Sequence, residues 1–205
     1  MDEIFALYET LAKQVAYVDD NPNFAPLVQG FLQQGGYRID RTFDNPQTGL
    51  HGIGLISITG NNPPVLVFRG ADDLSDDPTL VDPRGIGLLQ LNTDRDAISQ
   101  WLRDAQQRSG QLPDILGHSL GGAVAQQTAA AFPALFNRLV TFNSPGIGQA
   151  SVNSYLARVT LPVGGIDSRI THFIVDGDLV SLIGQTFLPG RVFCNPFLIS
   201  ISIQQ

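Results

Sequence analysis

Ser119 has the sequence surroundings most typical of covalent catalysis. It lies in Gly117-His118-Ser119-Leu120-Gly121, a Gly-x-Ser-x-Gly pattern between a short apolar run and an alanine-rich stretch. A serine on a sharp strand-to-helix turn needs neighbours without a Cβ two positions away, because larger residues would collide with the turn. The amides that open the following helix then face the negative charge that develops on an attacked carbonyl oxygen. The pattern predicts a serine nucleophile, since chance gives about 0.1 such matches in a chain of this length.

The elements that must position Ser119 alternate between strands and helices. Apolar spacing predicts a helix over residues 4–15, then two strands, 51–59 and 65–68, which a Gly-Asn-Asn-Pro-Pro turn joins into an antiparallel pair. A further helix is predicted over residues 92–108, and beyond it short strands and helices alternate. That alternation is typical of a mostly parallel sheet with helices on both faces. We therefore predict a single α/β domain over residues 1–205.

Composition excludes several classes of function and site. The chain has 205 residues, with 12 basic and 19 acidic side chains and a net charge of −7, so a polybasic surface for nucleic acid is not expected. Cys194 is the single cysteine, which excludes an intramolecular disulfide. The first residues are acidic and no apolar run reaches membrane-spanning length. These features predict a cytoplasmic protein that contacts membranes only peripherally.

Several short segments, in this order, resemble the class 3 lipase family. They are Val67-Phe68-Arg69-Gly70, the hexapeptide Gly117 to Gly122, Thr141-Phe142-Asn143-Ser144-Pro145, and Arg169-Ile170-Thr171-His172 leading to Asp178-Leu179-Val180. The Phe-Arg-Gly run at that distance before the hexapeptide makes the resemblance specific. It implies an α/β-hydrolase fold and cleavage of glycerolipid acyl esters by a Ser-Asp-His triad.

The resemblance also implies roles for individual residues. Ser119 would be the nucleophile, and the backbone amides of Leu120 and Ala71 would bind the oxyanion. The family usually has serine or threonine where this chain has Ala71, so only a backbone donor is available there. Asp178 would be the triad acid, on a loop after a parallel strand, where open α/β sheets place functional groups. Asp176 is the weaker candidate, because a solvated turn aspartate explains it as well.

The base is harder to assign, because the family places it after the acid and no histidine follows His172. His118 is expected to point away from the nucleophile, since adjacent side chains alternate in direction. His172 is expected to be buried, near the end of its strand opposite Asp178. His51 opens a strand antiparallel to residues 65–68, so it should begin at the active-site edge. We predict His51 as the base; an exposed edge histidine, or a base in a further C-terminal segment, are the alternatives.

The leading hypothesis is a serine carboxylic-ester hydrolase that forms an acyl-enzyme on Ser119 and cleaves glycerolipids as a lipase, phospholipase A1 or galactolipase. No metal or cofactor is required for that chemistry. The alternative is a catalytically degenerate hydrolase scaffold that binds lipid or protein. Residues 70–90 form a long connection after the oxyanion segment, where such lipases carry a lid, and its apolar residues, Ile86 and Leu88 among them, are candidates for contact with a lipid surface.

Overall fold

The computed structural model describes residues 3–20, 25–70, 82 and 84–195, and a seven-stranded sheet runs through them. The strands are β1 (Tyr37–Asn45), β2 (Leu50–Ser57), β3 (Val65–Phe68), β4 (Asp114–His118), β5 (Leu139–Phe142), β6 (Ile170–Val175) and β7 (Arg191–Asn195). They cross the sheet in chain order. The first three pair antiparallel, and β3 to β7 pair parallel. The predicted α/β fold class, with an N-terminal antiparallel pair beside a parallel sheet, is confirmed.

Helices cover both faces of this sheet. They are α1 (Glu3–Lys13), α2 (Ala25–Gln34), α3 (Leu88–Ser109), α4 (Leu120–Ala131) and α5 (Gln149–Leu156), with short 3₁₀ helices at Val15–Asp20 and Val180–Leu182. Parallel crossovers are right-handed, and here every crossover advances in the same direction across the sheet. The three crossover helices, α3, α4 and α5, therefore share one face, and α1 and α2 cover the other.

The core consists of two apolar clusters, one on each face of the sheet. Strand alternation divides β3 between them: Leu66 and Phe68 enter the cluster under α3, α4 and α5, whereas Val65 and Val67 enter the cluster under α1 and α2. Trp101 of α3 is buried in the first cluster. Within the described ranges, no helix combines the length and the hydropathy that spanning a bilayer would require.

Strand β1 was missed from the sequence, which predicts a polar, glycine-rich connection over residues 33–45. Among the described strands it lies at the edge of the sheet and pairs with β2 alone. An edge strand tolerates polar residues because one of its faces and one of its sides meet solvent. Tyr37 and Phe43 are buried, but Arg38 and Arg41 between them are exposed. The few buried positions are too widely spaced to give a strand pattern.

Helix α3 begins earlier than the predicted residues 92–108. It starts at Leu88 after Gly87, which has φ 79°, and it contains a non-helical residue at Asp94 with φ −111° and ψ 15°. In the sequence, Asn92 or Thr93 is the expected cap of the helix and Asp94 belongs to its first turn, but in the structure these residues lie at the kink inside α3. Its end was predicted correctly, since Gly110 closes the helix with φ 72°.

The connection over residues 70–90 is described only in part, because residues 71–81 and 83 lie outside the described ranges. Ile86 is 3% exposed and packs in the cluster under α3, α4 and α5. The expectation that Ile86 faces a lipid surface is therefore wrong, because its side chain completes the core. Leu88 is half-buried at the start of α3.

Candidate active site

Ser119 lies on the turn between β4 and α4, as the sequence predicts. Strand β4 ends at His118, helix α4 begins at Leu120, and Ser119 between them has φ 53° and ψ −130°. A non-glycine residue with positive φ is strained, and such strain persists where the surrounding structure enforces it. Among the described residues outside glycine, Asn143 alone shares a positive φ with Ser119.

The two glycines of the motif are explained by contacts with backbone. A Cβ added to Gly117 would lie 2.2 Å from the carbonyl oxygen of Gly121, and one added to Gly121 would lie 2.3 Å from the carbonyl oxygen of Phe68. Both distances are far below van der Waals contact. The absence of side chains at both positions therefore lets α4 start directly against the ends of β3 and β4.

The oxyanion segment runs beside this turn. Phe68 pairs with Gly117 across β3 and β4, and a Cβ on Gly70 would lie 2.9 Å from the Cβ of Ser119. Ala71, the next residue, lies outside the described residues. Leu120 is the first residue of α4, so its N–H belongs to the first helical turn, whose donors have no carbonyl partner within the helix. The serine and the Leu120 amide are thus adjacent at the helix start.

Tyr17 packs on the face of the sheet that α1 and α2 cover and contacts both Gly70 and His118. The sequence analysis did not predict these contacts. The Gly70 N–H donates to its hydroxyl at 3.0 Å, and the same hydroxyl lies 3.2 Å from Nδ1 of His118. The guanidinium of Arg69 lies over its ring at 5.7 Å. No local sequence pattern predicts these contacts, because Tyr17 is distant in the chain from Gly70, His118 and Arg69.

His172 is buried, as the sequence predicts, and the side chain of His118 contacts Tyr17. His118 packs against Tyr17, and burial together with the charge of Lys13 lowers its pKa to about 4. His172 is fully buried, with Nδ1 2.7 Å from Thr141 Oγ1 and Nε2 3.0 Å from the Leu188 carbonyl oxygen. Burial lowers its pKa to about 4 as well, opposed by the bond to that carbonyl. Both imidazoles are committed to structural contacts.

Asp178 follows the carboxyl end of β6, at the same end of the parallel strands as Ser119, which follows β4. Its side chain carries a buried oxygen without a hydrogen-bond partner in the described ranges. Its Oδ1 accepts the Val180 N–H at 3.0 Å, whereas its Oδ2 is buried without a hydrogen-bond partner among the described residues. Asn143 follows β5, the strand between β4 and β6, and its Oδ1 accepts the Val175 N–H at 3.1 Å. Strands lie about 4.8 Å apart, so two spacings separate β6 from β4 by roughly 10 Å. Burying an unpaired carboxylate oxygen is costly, and such features are typical of functional sites.

His51 lies near the start of β2, and its side chain is directed toward the edge strand. Its Nδ1 lies 3.5 Å from Oδ1 of Asp44, its partner on β1, and its carbonyl oxygen accepts the Arg69 N–H at 3.0 Å. Four strand spacings, roughly 19 Å, separate β2 from β6. The structure therefore does not bring His51 and Asp178 together. Among the described residues, no hydrogen bond joins Ser119 to a histidine.

The contacts of His51 identify Asp44 as a second residue that sequence reasoning missed. Asp44 is largely exposed, whereas the His51 side chain is only 8% exposed. A carboxylate at the Nδ1 side of an imidazole fixes its tautomer and orientation. The signal was available in principle, because a strand at residues 37–45 would have placed Asp44 opposite His51.

Comparisons with known proteins find similarity in structure alone. No family model and no curated protein sequence matches the chain. The triacylglyceride lipase of Rhizomucor miehei matches with a TM-score of 0.69 at 15% identity, covering 93% of this chain and 78% of that one. The lipase of Rhizopus microsporus var. chinensis matches with a TM-score of 0.66 at 16% identity, covering 87% and 67%.

Two further fungal lipase structures match over similar lengths. Lipase II of Rhizopus niveus matches with a TM-score of 0.66 at 17% identity, over 87% of this chain and 72% of that one. In the propeptide complex of the Rhizomucor miehei lipase, the match covers 87% of this chain and 61% of that one. At such low identity, similarity in structure establishes the architecture. The chain therefore has the lipase-like α/β-hydrolase fold.

Proposed function

We propose that this chain is a serine carboxylic-ester hydrolase that acts on glycerolipids. The observation that carries the proposal is the backbone of Ser119, with φ 53° at the junction of β4 and α4. That strained turn places a serine hydroxyl beside the first amides of a helix, the arrangement that ester hydrolysis through an acyl-enzyme requires. The architecture shared with fungal triacylglycerol lipases supports the same reaction.

The proposed reaction has two steps. Ser119 Oγ attacks the ester carbonyl and transfers its proton to the base, while the amides of Leu120 and Ala71 bind the oxyanion. Collapse breaks the bond to the alcohol, which leaves with the proton from the base. Water then attacks the acyl-serine by the same route and releases the carboxylic acid, regenerating Ser119. One ester and one water thus give one acid and one alcohol.

His51 is the proposed base, and Asp44 is the carboxylate that the fold places beside it. Asp44 already lies beside its Nδ1 at 3.5 Å, which suits the orienting role. Asp178 was assigned as the acid from the sequence, and its buried, unpaired Oδ2 supports a functional role at the same sheet edge. Neutralising the carboxylate that orients the base should lower kcat by about 10²–10⁴, and we expect this loss for Asp44→Asn. A loss of that size in Asp178→Asn but not in Asp44→Asn would keep Asp178 as the acid and refute His51 as its base, because roughly 19 Å separates their strands.

Contact with a lipid surface is supported by exposed apolar residues next to Asp178. Leu179 and Leu182 are 74% and 77% exposed, on the loop that follows β6. Clustered exposed leucines beside a site are typical of a surface that meets lipid. We propose that these two leucines bind the protein transiently to the lipid surface that contains its substrate. A Leu182→Ser variant should then weaken hydrolysis of emulsified glycerolipid while leaving hydrolysis of a soluble short-chain ester unchanged.

The experiment that tests the proposal measures release of fatty acid from triacylglycerol, phosphatidylcholine and galactolipid emulsions. The wild-type protein should hydrolyse at least one of them, and the panel separates the lipase, phospholipase A1 and galactolipase alternatives. A Ser119→Ala variant should lower kcat by about 10⁴ or more. Ser154→Ala, a serine exposed on α5, should keep full activity. Equal rates for Ser119→Ala and wild type would refute the assignment of the nucleophile.

A second candidate function is a scaffold that binds lipid without turnover. The observation in its favour is that no histidine is hydrogen-bonded to Ser119 among the described residues. A serine without a proton acceptor reacts poorly with esters. Vesicle binding that depends on Leu182, in a protein that releases no fatty acid from any of the three emulsions, would favour the scaffold.

A further inference from the structure

A cleft on the helical face of the sheet has the chemistry of a separate binding site. It lies over the C-terminal half of α4, between α3 and α5, and has a volume of about 420 Å³. That volume falls within the range of small-molecule pockets. Its floor is apolar, formed by Leu88, Leu91 and the alanines Ala130 and Ala131. Of the residues assigned to ester hydrolysis, those that the structure describes, Ser119, Leu120, His51 and Asp178, lie outside it.

The charge of this cleft is opposite to that of the chain. Three arginines line it, Arg84, Arg95 and Arg158, and none of the acidic residues that the structure describes does, although the chain has 19 acidic residues and only 12 basic ones. Arg84 is paired with Asp82 at 2.7 Å. In the part of the chain that the structure describes, neither Arg95 nor Arg158 forms an ion pair. The positive charge available to a ligand therefore comes from Arg95 and Arg158.

Both of these guanidinium groups are held in place by uncharged partners. Arg158 donates to the carbonyl oxygens of Ala130 and Ala131 at the end of α4, the second at 2.9 Å. It also donates to the carbonyl and hydroxyl oxygens of Ser154 at 2.9 and 3.1 Å, so one N–H of Nη1 is left for a ligand. Arg95 lies over the Phe132 ring, 4.9 Å from its centroid. Carbonyl and ring contacts position a guanidinium without cancelling its charge. Two fixed charges thus flank the same end of α4, beside an apolar floor.

We propose that this cleft binds a single-chain alkyl carboxylate, independently of the proposed ester hydrolysis. The carboxylate would lie between Arg95 and Arg158, and the alkyl chain would lie along Leu88, Leu91 and Ala130. Charge complementarity selects the anion, since guanidinium groups bind carboxylates through charge-assisted hydrogen bonds. The apolar floor selects a ligand with a hydrocarbon chain over a small inorganic anion.

The test is calorimetric titration with monomeric dodecanoate, dodecanol and inorganic phosphate at constant ionic strength. Dodecanoate should bind at one site, and dodecanol and phosphate at least about tenfold more weakly, since each lacks one of the two interactions. Arg95→Glu should weaken dodecanoate binding by about tenfold or more. Arg103→Glu, an exposed arginine of the same helix outside the cleft, should leave it unchanged.

A second variant fills the cleft without changing charge, so that the outcome does not depend on Arg95 alone. Ser151→Phe places a ring in the space lined by Ser151 on α5 and should abolish binding. Amide chemical shifts should move at Ala130, Ala131 and Ser154 on addition of dodecanoate. The proposal would be overturned if wild type did not bind dodecanoate or bound dodecanol with equal affinity. It would also be overturned if wild type, Arg95→Glu and Ser151→Phe bound dodecanoate equally well.

Discussion

The buried imidazole of His172 makes a specific prediction about stability in acid. Its pKa in the folded protein is about 4, against about 6.5 for an unfolded chain. Because the folded pKa is the lower one, the unfolded chain binds the proton first as the pH falls. The contribution of His172 is therefore fully present above pH 6.5 and is lost progressively between pH 6.5 and pH 4. At 1.36 kcal/mol per pKa unit, the loss amounts to about 3 kcal/mol.

The variant His172→Gln isolates this contribution, because glutamine stays neutral throughout. It disturbs the bonds to Thr141 and Leu188, so we expect it to be less stable than wild type by about 1–3 kcal/mol at pH 7.5. Other titrating groups, including His118, affect both proteins alike. The free energy of unfolding of wild type relative to the variant should therefore fall by about 3 kcal/mol between pH 7 and pH 4.

Urea unfolding followed by the fluorescence of Trp101 measures this difference directly. Trp101 is the single tryptophan and is buried in the core under α3, α4 and α5, so its emission reports global unfolding. The free energies of the two proteins should converge or cross in acid. A stability difference that stays constant from pH 7 to pH 4 would refute the reasoning, because it would mean that His172 takes up its proton without unfolding.

Two further predictions concern the turn and the acid. Gly121→Ala should destabilise the protein by about 3 kcal/mol or more and abolish hydrolysis, because the added Cβ would lie 2.3 Å from the Phe68 carbonyl oxygen. The control is Gly30→Ala in α2, where an added Cβ has nothing within 4 Å, and it should leave stability unchanged or raise it by up to about 1 kcal/mol. Equal melting temperatures for the two variants would contradict the packing argument. Asp178→Asn should raise the melting temperature while lowering hydrolysis, because an unpaired amide is less costly to bury than an unpaired carboxylate; a lower melting temperature would show that Oδ2 is satisfied in the folded protein.

The parts of the site that the sequence predicts are those determined by local geometry. Ser119 and its two glycines are close in the chain, and the turn they form depends on contacts within a few residues. The strand pair β2 and β3 likewise followed from a turn signal between two β-branched runs. Such features are readable because their physical causes lie in the same short segment.

The parts that the sequence does not predict depend on which strands are neighbours. His51 was correctly placed at the start of a strand, but its contact with Asp44 required β1, whose polar edge-strand pattern was missed. Tyr17 contacts Gly70 and His118 across large sequence separations. The order of strands across the sheet also separates His51 from Asp178, and no local pattern reports that distance.

Labelling with an alkyl fluorophosphonate tests the central claim most directly. The oxygen of an activated serine attacks the phosphorus and displaces fluoride, which leaves the serine covalently bonded to the probe. Mass spectrometry of the digested protein then identifies the modified residue. The account predicts one label, on Ser119, absent from Ser119→Ala and formed at least about 10²-fold more slowly in His51→Ala. Wild-type protein that carries no label at Ser119 under conditions where it is folded would contradict the claim that this turn holds a catalytic nucleophile.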